Sequence, residues 1–334
     1  MVRMIVSASV RAVIWGLAGI GCVALLLAGL IAVPLHTPPE LVSVSATAGA
    51  VDRSTMPGLE RFPARDGTGL AYRHYPPRGT AVGRIAVLVH GSSGSSASVH
   101  ALSDALAARG VETFALDIRG HGGSGTRGDI GYVGQLEDDL ADMVAVVRKT
   151  APTAPLTLIG HSAGGGFALR VAGSPIQDLF ARTVLLAPFL GVFAPTNQPN
   201  WGGWANADIP RIVALTALRK IGIACCDALP VLAYAVPPKS SLRQTAVYSE
   251  RLRSNFGVHT DFRTDLAAAT QPLSIFAGAE DELMRSEQYA AAVHAVAPSA
   301  SVKLIDGVNH MGIVSDPSAI SVIADDVARS GGNS

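Results

Sequence analysis

The chain has 334 residues, of which 49% are hydrophobic and 16% are charged, so it can bury a large core. Lys plus Arg equals Asp plus Glu at 26 each, and the formal net charge is zero. This balance argues against nucleic acid as a partner, because no basic run exceeds two residues, as at Arg219-Lys220. The three cysteines fit neither a disulfide framework nor a metal site, and we expect the adjacent Cys225 and Cys226 to be reduced thiols rather than a strained disulfide.

The N-terminal segment is apolar enough to cross a membrane. Residues 12–33 carry no charge and follow Arg3 and Arg11. As a helix they would reach about 33 Å, against a bilayer core of about 30 Å. We therefore predict a single-pass membrane anchor over residues 1–34, with the rest of the chain outside the cytoplasm by the positive-inside tendency. The alternatives are a cleaved signal, which would leave a secreted or periplasmic protein, and a buried core helix.

The remainder divides into a linker and one large domain. Residues 35–58 are rich in Pro, Ser, Thr and Ala without sustained periodicity, which predicts a linker. From about 59 to 330, short apolar strands alternate with amphipathic helices, and the predicted strands lie at 59–63, 70–75, 85–89, 111–116, 156–159, 183–187, 273–277 and 302–305. This alternation predicts an α/β fold with a mostly parallel central sheet, whose active site lies at the carboxyl ends of the strands.

One strand end carries a candidate nucleophile. The strand at 156–159 runs into Gly160-His161-Ser162-Ala163-Gly164 and then into a helix. A strand–GxSxG–helix arrangement is typical of a nucleophile elbow, in which a sharp turn exposes the serine hydroxyl. The alternative is a glycine-rich turn with an incidental serine. A serine hydroxyl is a poor nucleophile at neutral pH, so Ser162 would need a base nearby.

At these motifs the sequence resembles the α/β-hydrolase superfamily, over roughly residues 59–330. The resemblance is closest to the branch of monoacylglycerol lipases and lysophospholipase-like esterases. Besides the elbow, the motifs that carry it are His90-Gly91-Ser92, the run DIRGHGGS at 117–124, GAED at 278–281 and NHMG at 309–312. The superfamily order of serine, acid and histidine implies Ser162 as nucleophile, Asp281 as acid and His310 as base, with Glu280 and Glu282 as rival acids.

The tetrahedral intermediate of such a reaction needs donors for its oxygen, each worth about 10²–10³ in rate. We expect these donors to be the backbone N–H groups of Ala163, which follows the nucleophile, and of Ser92. The alternative for the loop around Ser92 is a flexible turn. Three other histidines lie in the motif loops, and we expect them to shape the pocket without titrating in the mechanism: His90, His121 and His161. The 117–124 loop is expected to be structural.

An apolar insertion at about 190–265 stands where the family carries a helical lid. Its Ile209, Ile212, Val213 and Leu215 are expected either to line an acyl-binding roof or to cover a small-ester pocket.

The sequence as a whole predicts a membrane-anchored serine hydrolase of carboxylic esters, either monoacylglycerol-like or lysophospholipid-like or small. The alternatives are a proline-type aminopeptidase, a C–C bond hydrolase and a non-catalytic binding protein on the same fold. No metal or organic cofactor is implied.

Overall fold

The structure is a computed structural model that describes residues 2–223, 225–237 and 243–329. Within these residues the α-helices are α1 (Val2–Ile31), α2 (Val42–Gly49), α3 (His100–Ala108), α4 (Gln135–Arg148), α5 (Ala163–Ala172), α6 (Ile209–Lys220), α7 (Glu250–Asn255), α8 (Phe262–Ala268), α9 (Tyr289–His294) and α10 (Pro317–Arg329). The strands are β1 (Glu60–Pro63), β2 (Gly69–Tyr75), β3 (Ile85–Val89), β4 (Glu112–Leu116), β5 (Leu156–His161), β6 (Arg182–Leu186), β7 (Ala205–Ala207), β8 (Pro230–Tyr234), β9 (Val247–Ser249), β10 (Leu273–Gly278) and β11 (Ser301–Ile305).

Eight of these strands form the central sheet, in the order β1-β2-β4-β3-β5-β6-β10-β11. The β1–β2 and β2–β4 pairs are antiparallel, and all other neighbours are parallel. Every residue of β3 and β5 is buried, because helices cover both faces of a parallel sheet. The predicted α/β sheet is therefore confirmed, and the predicted strands differ from the observed ones by only one or two residues at their ends.

The parallel strands bring their carboxyl ends to one edge of the sheet. Ser92 follows β3, Ser162 follows β5, Asp281 follows β10 and His310 follows β11. In the strand order of the sheet, β10 lies between β6 and β11, and β5 lies between β3 and β6. The sheet topology thus places the sequence-predicted site residues on the same edge.

The segment 35–58 contains regular structure that its composition did not predict. It forms α2, whose Val44 and Ala48 are only 5% and 8% exposed. Val44 belongs to the hydrophobic core of the main domain. Packing against the domain, rather than periodicity within the segment, accounts for this helix, because an eight-residue helix is marginal by itself.

The insertion at 190–265 combines helices with a small sheet. Besides α6 and α7 it contains β7, β8 and β9, which form a three-stranded antiparallel sheet that the sequence did not predict. The side chain of Asp208 caps α6 by accepting a hydrogen bond from Arg211 N at 3.0 Å. Cys225 and Cys226 are free thiols at the far end of α6.

The N-terminal helix stands apart from the core. Val10–Ile31, with a mean hydropathy of 2.3, is not buried in the domain, and by length and composition it could cross a bilayer, as a signal sequence also could. Its end meets the insertion, because the Arg211 guanidinium donates to Ile31 O at 2.8 Å and also to Val33 O. The last carbonyl of α1 and one carbonyl just beyond the helix are therefore satisfied by a side chain of α6.

Candidate active site

Ser162 occupies a strained turn between β5 and α5. Its backbone has φ 54° and ψ −119°, a conformation that non-glycine residues seldom adopt. The flanking glycines are required by space: a Cβ on Gly160 would lie 2.1 Å from Gly164 O, and a Cβ on Gly164 would lie 2.2 Å from His90 O. The GxSxG pattern therefore follows from the close approach of three backbone segments, and it holds the serine at the strand end.

A buried histidine–carboxylate pair lies at the ends of β10 and β11. Asp281 Oδ2 accepts a hydrogen bond from His310 Nδ1 at 2.8 Å, and the two side chains are 0% and 3% exposed. Asp281 Oδ1 accepts the backbone N–H groups of Leu283 and Met284, both at 2.8 Å. Because the carboxylate holds the proton on Nδ1, His310 Nε2 is left as the basic atom of the ring.

The two rival acids occupy different positions. Glu280 is exposed, whereas Glu282 Oε2 accepts the backbone N–H of His310 at 3.0 Å. Burial by itself lowers the pKa of His310, but the charge and hydrogen bond of Asp281, together with the charge of Glu282, raise that pKa above its ordinary value. Asp281 is thus the carboxylate that orients the imidazole, and Glu282 adds a second negative charge beside the same histidine. The sequence did not predict the hydrogen bond between Glu282 and the backbone of His310.

The loop after β3 lies close to Ser162. A Cβ on Gly91 would lie 3.1 Å from Ser162 Cβ, which places Ser92 beside the serine. Ala163 begins α5, so its N–H has no partner within the helix. Among the described residues, no acceptor bonds the N–H of either Ser92 or Ala163. Two free donors therefore flank Ser162.

Two aromatic residues of the insertion hold this loop, and no sequence motif pointed to them. Trp204 Nε1 donates to Ser92 Oγ at 2.8 Å. Ser93, which has φ 62°, donates its N–H to the Tyr248 hydroxyl at 2.7 Å. The Tyr248 hydroxyl in turn donates to His121 Nε2 at 2.5 Å. The insertion thus fixes the loop that carries Ser92.

The other motif histidines are buried and uncharged. Burial is the main cause that lowers the pKa values of His90, His121 and His161. His161 Nε2 donates to His310 O at 3.1 Å and so supports the backbone of the basic residue. Asp117 accepts Ser96 N and Gly123 N, both at 2.7 Å, which is a structural role for the 117–124 loop.

Ser162 and His310 line one small cavity of about 40 Å³. In this conformation the described residues include no hydrogen bond between the two side chains, and such bonds are often long without substrate. The remaining walls include residues of α2 and the insertion, among them Val44, Ala48, Trp204 and Leu283.

The expectation that Ile209, Ile212, Val213 and Leu215 roof this cavity is wrong. None of the four lines it. Ile209 and Val213 are 52% and 57% exposed, and Leu215 is buried away from the cavity. The physical reason is that residues of α2 and Trp204 already line the cavity, whereas α6 packs against β8 and the end of α1.

Comparison with known proteins places the chain in a family. The family model described as serine aminopeptidase, S33, matches residues 80–317, which is more than two thirds of the chain. Human monoglyceride lipase is 31% identical over 153 residues, which are 46% of this chain and 49% of that protein. The monoacylglycerol lipase of Mycolicibacterium smegmatis is 31% identical over 113 residues, which are 34% of this chain and 38% of that protein. The chain therefore matches half or less of the length of these relatives.

A solved structure agrees in fold along nearly the whole domain. The soluble variant of monoglyceride lipase from Saccharomyces cerevisiae aligns with a TM-score of 0.59 at 17% identity, covering 83% of this chain and 95% of that one. At this identity the likeness concerns the fold alone. From the family match, the monoglyceride lipase relatives and the shared fold, the chain belongs to the serine aminopeptidase S33 family of α/β-hydrolases, in the branch that resembles monoglyceride lipases.

Proposed function

We propose that this chain is a membrane-anchored serine hydrolase that cleaves carboxylic esters through an acyl-enzyme on Ser162. The observation that carries the proposal is the buried Asp281–His310 pair, which meets the strained Ser162 at one cavity. The monoglyceride lipases among the relatives support an ester as the substrate.

In the proposed reaction His310 Nε2 takes the proton of Ser162 Oγ as the oxygen attacks the ester carbonyl. The carbonyl oxygen becomes an anion, which the N–H groups of Ser92 and Ala163 stabilise. When the intermediate collapses, the bond to the alcohol breaks and the alcohol leaves with the proton from His310. Water then repeats the sequence on the acyl-enzyme and releases the acid. Asp281 keeps the imidazole oriented and stabilises its cationic form.

The acidic residues of the insertion favour an ester over an aminopeptidase substrate. A peptidase of this kind needs a carboxylate to hold the free amine of its substrate. Asp208 caps α6, Asp227 pairs with Arg219 at 3.0 Å, and Glu250 pairs with Arg253 at 2.7 Å. Among the described residues that line the cavity, none is acidic. A substrate ammonium would therefore find no counter-charge there.

The test combines active-site labelling with a substrate panel. A fluorophosphonate should label the wild-type protein and fail to label Ser162→Ala. The panel compares p-nitrophenyl esters of increasing chain length, monoacylglycerols and amino-acid anilides. We expect ester turnover that is lost in Ser162→Ala. Anilides cleaved faster than any ester would make the chain an aminopeptidase, and a folded protein that neither labels nor turns over any substrate would be a binding protein.

We further propose that α1 is an uncleaved anchor with the catalytic domain outside the cytoplasm. The 22 uncharged residues at 12–33 and the position of Arg3 and Arg11 before them support this orientation. The intact chain should remain in membranes after carbonate extraction, and deletion of residues 1–33 should give a soluble, active protein. A mature N-terminus beyond residue 33 would contradict the anchor and indicate a cleaved signal.

A further inference from the structure

The helix α2 presents one face to the nucleophile. Val44, Ser45 and Ala48 line the same cavity as Ser162 and His310. Positions i and i+4 lie on one side of a helix, so Val44 and Ala48 form a continuous apolar surface toward the cavity. Val42, on another side of the same helix, is 67% exposed. The helix therefore has an inward face and an outward face, although its sequence has no clear amphipathic pattern.

Side-chain hydrogen bonds attach α2 to two parts of the site. Asn309, next to His310, donates from Nδ2 to Thr47 Oγ1 at 3.0 Å. At the end of α2, Arg53 bridges Ala48 O at 2.8 Å and Ala97 O, beyond the Ser92 loop, at 3.2 Å. These contacts fix α2 to the histidine loop and to the turn after β3.

A further backbone bond joins the start of this segment to the insertion, from Leu41 N to Ala235 O at 3.2 Å. The segment between α1 and the domain is thus held at both ends of α2. These hydrogen bonds fix the position of α2 at the Ser162 cavity, so this part of the chain is not a flexible linker.

The cavity that α2 lines is small. At about 40 Å³ it admits about three water molecules, whereas pockets that bury a drug-sized ligand have roughly 300–1,000 Å³. A large part of the lining is apolar, since Trp204, Leu283 and Met311 join Val44 and Ala48 there. Such a wall suits a hydrocarbon chain, and the acyl group is the part of an ester that stays in the site after the alcohol has left.

We propose that the inward face of α2 is the wall of the acyl-binding cavity and sets the longest acyl chain that the site accepts. The inference rests on the proposed ester hydrolysis. Side chains at positions 44 and 48 then act as the length limit: a larger side chain excludes longer acyl groups, and a smaller one admits them. The segment that leads from the anchor to the domain is, in this view, part of the substrate-binding site.

The experiment uses the full chain in detergent with three variants, Val44→Phe, Val44→Ala and Val42→Phe. Two substrate series are measured, p-nitrophenyl esters from acetate to dodecanoate and acetates of alcohols of increasing length. Because each methylene removed from water contributes about 0.8 kcal/mol, or about fourfold, exclusion of two methylenes should change the butanoate-to-acetate ratio of kcat/KM more than tenfold. We expect Val44→Phe to lower this ratio by about that factor and Val44→Ala to raise it severalfold. Val42→Phe, with the same added volume on the exposed face, should leave it within about twofold.

The readouts separate failure of the inference from failure of the function. If the wild type hydrolyses esters but Val44→Phe and Val42→Phe give the same length profile, α2 is not the acyl wall. A change confined to the alcohol series would also overturn the acyl assignment. If Val44→Phe melts early or does not label with fluorophosphonate, Val44→Ala decides, and an unchanged ratio in Val44→Ala refutes the inference. A wild type that neither labels nor hydrolyses any ester refutes the proposed function itself.

Discussion

The catalytic edge of the sheet and the helices that cover it are built on different principles. Ser162, Asp281 and His310 lie at the ends of adjacent or nearby parallel strands, and backbone contacts leave each of them little freedom. The helices α2 and α6 lie outside the sheet, and each is held by a few buried side chains, such as Val44 and Leu215, together with single side-chain hydrogen bonds. The sheet therefore positions the side chains of the site, whereas substrate access to the site depends on the helices that cover this edge of the sheet.

The two helices also differ from each other. Val44 of α2 faces the cavity and is 5% exposed, whereas Ile209 and Val213 of α6 face outward and are more than half exposed. The helix α6 is the one that meets the end of α1 through Arg211. Thus the insertion contacts the N-terminal helix, and the segment that follows this helix lines the cavity at Ser162. Five predictions test this division, in order of decreasing effect.

The largest effect should come from the nucleophile. Ser162→Ala should lower kcat by up to about 10⁶, and a double change with His310→Ala should be scarcely worse, because such residues act as a unit. The fold should persist, since the change removes one oxygen from a turn that glycines already define. Ser286→Ala is a suitable control, because this serine is also buried but lies outside the cavity. More than a few per cent residual activity in purified Ser162→Ala would mean that another residue attacks the substrate.

The two neighbouring acids should differ sharply. Asp281→Asn should lower kcat by about 10⁴, because an amide at this position favours the wrong imidazole tautomer. Glu282→Gln keeps an oxygen that can accept the backbone N–H of His310. Its kcat at the pH optimum should therefore fall by no more than about tenfold, which is what the loss of one neutral hydrogen bond would cost. Steady-state rates of both variants measure the difference. The reverse order would make Glu282 the orienting acid.

The pH profile tests how these carboxylates act on His310. Only the neutral imidazole can accept the proton of Ser162, so the rate falls as pH drops through the pKa of His310. Asp281 and Glu282 raise this pKa, and the neighbouring His161 stays neutral because burial lowers its own pKa. The acidic limb of kcat/KM should therefore lie above the ordinary histidine value of about 6.5.

Removal of one negative charge beside His310 should move the acidic limb of the kcat/KM profile to lower pH. Glu282→Gln removes a cause of the raised pKa, so its acidic limb should shift to lower pH. The exposed Glu280→Gln provides the matched control and should leave the limb in place. Equal shifts in the two variants, or a shift to higher pH in Glu282→Gln, would contradict the assignment of Glu282 beside His310.

The parts of the site that short motifs define could be predicted from the sequence. Gly160 and Gly164 have to be glycines, because backbone atoms lie within about 2.2 Å of an added Cβ at either position. The GxSxG sequence pattern therefore indicates the tight backbone turn at Ser162. The same holds for the strands, whose continuous apolar runs reflect burial on both faces.

The covering segments could not be predicted in the same way. Trp204 and Tyr248 hold the Ser92 loop across more than a hundred residues of chain, and no motif marks such contacts. The helix α2 owes its form to Val44 and Ala48 packing on the domain, which the composition of 35–58 does not express. In α6 the apolar residues indicated a buried face, but a stretch of apolar residues does not say which surface it contacts.

The smallest effect on catalysis should come from the outward face of α6. Replacing Ile209 and Val213 together by Ser alters exposed positions that do not line the cavity, so kcat/KM for detergent-dispersed esters of every length should stay within about twofold of wild type. With α1 as the proposed anchor, the same substitutions should lower turnover of esters embedded in lipid vesicles, because α6 meets the end of α1 and its exposed side chains would then lie near the bilayer surface. Parallel assays in detergent and in vesicles measure the two effects. If the double variant instead loses activity selectively toward long acyl chains in detergent, α6 rather than α2 limits the acyl chain, and the division between the two helices is wrong.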